Sequence, residues 1–150
     1  MSETTAPVTT AAASATSAPA AGRARAARIA LRTLTVLLAL FYGVASALPK
    51  LIAHPSAVES FDTIGWGSAA MYVIGALELA GGIALLVPVL SGVAPIALSA
   101  LMAGAFVVQM SYFDGENAAT PLILIVPLAL LAWTRRRSNA DLVRLVKRRV

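Results

Sequence analysis

The residue that raises a chemical question is Glu78. It stands in the middle of "IGALELAGGIALLVP" (74–88), a stretch otherwise fit to face hydrocarbon. A carboxylate at mid-membrane depth costs ~2.5–3.5 kcal/mol on the translocon scale, so it must point into protein rather than lipid. Three kinds of chemistry are then open to it: carrying a proton, anchoring the polar end of a small ligand, or pairing with a cation. The only basic residue away from the chain ends is Lys50, and an ion pair with it would spare Glu78 from being a lone buried charge. Ser46, Tyr72 and Gln109 are the hydrogen-bonding side chains to consider with it. If Glu78 instead bonds Ser46, Gln109 or Tyr72 in its protonated form, it fixes helix register and nothing more.

Helical spacing orients these groups. Gly75, Glu78 and Gly82 fall at i, i+3 and i+7 on one stripe, with Gly81 beside it. Glycines let a neighbouring backbone come close, so this stripe is expected to be a helix contact surface. Gly43, Ser46 and Lys50 repeat the spacing in an earlier segment, and Met102, Ala105 and Gln109 in a later one. The depths do not match well. Lys50 falls near the end of its segment and Glu78 about halfway along its own, so the lysine has to reach inwards.

The elements that hold these residues are apolar throughout. The chain is 150 residues long, 59% hydrophobic and 13% charged, with a mean hydropathy of +0.81. That charge is too sparse to cover a soluble domain of this size, so lipid is the expected solvent. Four continuous runs, at about 33–48, 67–90, 93–112 and 120–133, are expected to be helices, because lipid leaves no backbone group unpaired and the runs do not alternate. About 20 residues cross a hydrocarbon core of ~30 Å; the first and last runs are shorter, and their flanking arginines extend them by snorkelling.

The expected fold is thus all-α, an integral membrane four-helix bundle over residues 29–137. Residues 1–28 are expected to be a disordered Ala/Thr/Ser/Pro-rich tail with a basic flank, because such a composition buries too little surface to order a backbone. Every Lys and Arg except Lys50 lies before the first run or after the last, whereas the loop Asp114-Gly115-Glu116 is acidic. With four spans this places both termini in the cytoplasm and the loops 49–66 and 113–119 outside. A competing reading takes the first run as a signal peptide with Ala45-Ser46-Ala47 as its cleavage site.

Two flanking segments carry amphipathic patterns. Pro55 is placed to start a short helix with Val58 and Phe61 on one side and Glu59 and Asp62 on the other. In residues 138–150, Ser138 and Asp141 resemble a capping box. Leu142, Leu145 and Val146 then oppose Arg144, Lys147 and Arg148, a basic amphipathic tail suited to an anionic leaflet.

"FYGVASALPKL" (41–51) followed by "IGALELAGGIALLVP" (74–88) resembles the DoxX family of small bacterial four-helix membrane proteins. The matching positions are Gly43, Lys50, Leu51, Gly75, Glu78, Leu79, Gly81, Gly82 and Pro88, and "ALMAGAFVVQM" is similar to the family's third span. The resemblance covers roughly residues 30–136. It implies a multi-pass protein of the bacterial cytoplasmic (inner) membrane, associated with redox or oxidative-stress complexes, with quinone as the cofactor in question. The chain's own residues identify no cofactor. With no cysteine and a single histidine, His54, it lacks the ligands for thiolate chemistry, a zinc centre or bis-histidine haem.

The expected function is therefore an accessory or anchoring subunit of a membrane redox system, without a redox centre of its own and more a non-catalytic subunit than an enzyme. The alternatives are a small proton-coupled transporter or ligand-binding bundle using Glu78, and a purely structural membrane protein. Ligand or proton-binding candidates are Glu78, Lys50, Gln109, Tyr72 and Ser46; Gly43, Gly75, Gly81 and Gly82 are packing positions, and no metal ligands stand out. The expected partners are the lipid bilayer, redox subunits and a second copy of the chain. Nucleic acid is not among them, since the basic charge is confined to the ends.

Overall fold

A computed structural model describes residues 18–136, and among these every regular element is helical. Helix α1 spans Ala18–Leu40 and runs on, through a π-helical segment Phe41–Ala47, into α2, Leu48–Leu51. After a turn at Ala53 come α3 (Pro55–Thr63), α4 (Gly67–Leu86), α5 (Ala94–Tyr112) and α6 (Ala119–Thr134). Backbone contacts divide the chain into two units, Met1–Thr33 and Leu34–Val150. In the first, the described residues are the opening turns of α1. Those turns begin at Ala18, inside the stretch whose composition suggests a tail; its Ala and Arg are good helix formers. Residues 1–17 and the 138–150 segment lie outside the described residues.

Among the described residues, three stretches are long and apolar enough to cross a membrane: Ala21–Leu51, Gly67–Leu86 and Ala94–Tyr112. The fourth apolar helix, Ala119–Thr134, has 16 residues, a length of about 24 Å at helical rise. Pro127 lies inside it and removes one hydrogen bond from its ladder. Helix α4 stops at Leu86 because Val87, which precedes Pro88, is extended, as the residue before a proline prefers.

In the second unit α4 is the hub. The π segment, α2, α3 and α5 pack on it, and α6 packs on α5. Its buried residues are Met71, Gly75, Glu78, Gly82 and Leu85, one stripe at three- and four-residue steps. The large apolar residues Val73, Leu77, Ile83 and Leu86 are exposed on its other faces, as lipid-facing positions should be. Phe61 of α3 closes over Met71 together with Ile64, with Val58 packed against them, so α3 forms with the apolar side its spacing suggests.

The π segment has a local cause. In a straight α-helix the ring of Pro49 would press on the carbonyl of Ala45; a wider turn ahead of it relieves that clash. It also frees backbone acceptors next to Lys50.

Candidate functional site

Lys50 and Glu78 meet. Lys50 Nζ donates to Glu78 Oε2 at 2.8 Å, with the two side chains 20% and 5% exposed respectively. The same ammonium donates to the Ser46 carbonyl at 2.9 Å and to Ser46 Oγ at 3.3 Å. How the lysine reaches inwards is settled at Gly75: a Cβ there would lie 2.9 Å from Lys50 Cβ, so the stem of Lys50 lies against bare α4 backbone. Gly75 is one turn from Glu78, a rise of about 4.5 Å, which a lysine stem spans.

The other glycines behave as contact points to different degrees. A Cβ on Gly82 would sit 3.1 Å from the Ala39 carbonyl oxygen and 3.4 Å from Tyr42 Cβ; one on Gly81 would strike the Leu98 side chain of α5. At Gly43 the nearest atom would be Leu79 Cδ1 at 3.7 Å, an ordinary contact.

A cavity of about 740 Å³ opens beside the pair, with Ser46, Lys50, Glu78 and Gln109 in its wall. Phe41, Phe61, Trp66 and Phe113 contribute aromatic surface, and Asn117 and Thr120 stand at the end that carries the 113–118 turn. Gln109 Oε1 is buried with no hydrogen-bond partner among the described residues. The candidates Glu78, Lys50, Ser46 and Gln109 are thus brought together. Tyr72 is not: it lies on an outer face of α4, 43% exposed. Neither does Glu78 bond Ser46, Gln109 or Tyr72 among the described residues; its partner is Lys50.

Two side chains matter here that spacing alone did not single out. Tyr42, one residue before Gly43, is fully buried, and its hydroxyl has no partner among the described residues. Arg135, at the end of α6, donates through Nη2 to Thr35 Oγ1 at 2.8 Å and through Nη1 to the Ser91 carbonyl at 3.3 Å and the Leu85 carbonyl at 3.5 Å. It ties the end of α6 to Thr35 within α1, to the turn at Ser91 and to the end of α4, where it satisfies the Leu85 carbonyl. Partial burial lowers its pKa from the ordinary guanidinium value.

The fold and site define a polytopic helical membrane protein in which a buried ion pair borders an open, mostly apolar cavity. The family follows: residues 33–132 match the model of the DoxX-like family, and the chain belongs to it. No match was found among curated proteins or among solved structures.

Proposed function

We propose that the chain is a four-helix bundle of a bacterial inner membrane, with both termini cytoplasmic, that serves as an accessory, non-catalytic subunit of a membrane redox system. In this reading the cavity receives an apolar molecule of the quinone class, and a partner subunit supplies the electron-transfer centre that this cysteine-free chain lacks. The observation that carries it is the Lys50–Glu78 pair in the wall of a cavity large enough for a small ligand. A pair needed only for packing would not require open space beside it. In a deletion strain with an oxidant-sensitivity phenotype, the wild-type gene should restore growth. Glu78→Gln should not, although it reaches the membrane at the same level, because a carboxamide keeps the shape and loses the charge. Full rescue by Glu78→Gln would end this reading.

The topology rests on the basic ends and the acidic loop at Asp114 and Glu116. Reporter fusions at Val150 and at Asn117 should give opposite sidedness, and the same sidedness at both sites would refute the four-span arrangement.

A further inference from the structure

The hydrogen-bonding state of the cavity wall specifies more about its occupant. An ammonium has three donors and no acceptor. Those of Lys50 are all engaged: one on the Ser46 carbonyl, one on Ser46 Oγ and one on Glu78 Oε2. Ser60, also in the wall, already donates its hydroxyl to the Ser56 carbonyl. The acceptors are in the opposite condition. Glu78 uses Oε2 for the lysine, and its Oε1 carries no protein hydrogen bond among the described residues. Gln109 Oε1 is buried and unpartnered.

Charge and shape narrow the choice further. Lys50 and Glu78 cancel, so an ionic guest would bring an uncompensated charge into an apolar pocket, at a cost that favours a neutral one. Most of the rest of the wall is apolar, with four aromatic side chains, Phe41, Phe61, Trp66 and Phe113, available to stack on a ring.

We propose that the cavity binds a neutral, ring-bearing apolar molecule through a hydroxyl that donates to Glu78, a ligand of the phenol class. The hydroxyl brings a donor to the free Oε1 of Glu78, where Lys50 has none left to give, and a hydrogen bond to an ionised acceptor is among the stronger kinds. A guest with only a carbonyl or ether oxygen in the same place would set its lone pairs against the carboxylate, so within the quinone class it is the reduced, hydroxyl-bearing quinol that fits. This rests on the reading of the cavity as a ligand site and adds the chemical class of the ligand.

The test uses 4-hexylphenol and its methyl ether, 4-hexylanisole, which match in size and differ in the donor. The full chain is purified in detergent with Trp133→Phe, so that the emission reports Trp66 in the cavity wall. The phenol should perturb Trp66 saturably and bind about tenfold or more tighter than the ether, the effect of one hydrogen bond to a charged group. In Glu78→Gln that ratio should fall to within about threefold, a comparison in which partition into the micelle cancels. Gln109→Leu, which leaves the ion pair and Glu78 Oε1 intact, should keep the preference for phenol over ether, and loss of that preference would move the hydroxyl's partner from Glu78 to Gln109. Equal affinity for phenol and ether overturns the ligand class while leaving the cavity as a binding site, and tighter binding of the 4-hexylbenzoate anion overturns its neutrality. No saturable response to either neutral probe overturns the proposal together with the ligand-docking role.

Discussion

Gly82→Leu should prevent the first apolar helix from seating on α4. The Cβ position at Gly82 is already 3.1 Å from a backbone carbonyl, that of Ala39, and backbone cannot swing aside as a side-chain tip can. Leucine adds three further carbons at that contact, so the two helices must separate, and the separation loosens Tyr42, which is fully buried beside it. Leu85→Ala, on the same buried stripe, is the informative contrast. It leaves a cavity and costs on the order of 2–5 kcal/mol by analogy with soluble cores, but it obstructs nothing. Gly104→Leu provides the control, because a Cβ there meets nothing within 4 Å. In size-exclusion chromatography and thermal melts in detergent, Gly104→Leu should resemble wild type. Leu85→Ala should melt earlier yet elute as a folded species, and Gly82→Leu should aggregate or fail to accumulate. Wild-type melting by Gly82→Leu would show that the stripe faces lipid.

That stripe was legible because helical spacing in an apolar run has few solutions: once Glu78 must avoid lipid, Gly75 and Gly82 follow it inwards. The same arithmetic places Tyr72 elsewhere. It precedes Glu78 by six residues, about 120° around the helix, and the structure leaves it exposed. Gln109 was readable from its step to Met102, which is buried on α5. The reach of Lys50 was not, because it depends on a register change at the π segment and on bare backbone at Gly75. Pro49 was the one local hint of that change. Arg135 reads in sequence as a flanking charge that sets topology. Its bonds to Thr35 and Ser91 join positions far apart in the chain, and no periodicity within one helix reports such a contact.

The ion pair itself should respond asymmetrically to loss of either partner. Lys50→Met leaves Glu78, with a side chain only 5% exposed, without its cation. Glu78→Met leaves Lys50, which is 20% exposed and still donates to both oxygens of Ser46, so its ammonium keeps two partners and can shift towards the surface. Removing one partner of a buried pair costs roughly 3–5 kcal/mol, most of it the stranded charge. The lysine variant should approach that figure, and the glutamate variant should fall well below it. The double variant, Lys50→Met with Glu78→Met, strands nothing and puts two flexible apolar chains where charges stood. Its melting temperature should lie above that of Lys50→Met and near wild type, so the cycle shows strong non-additivity. Additive losses would mean that the two groups do not sense each other in the bilayer. A double variant that folds like wild type but fails to restore growth in the deletion strain would separate the work of the pair from its place in the fold: a charge kept inside a membrane helix for what it presents to the cavity.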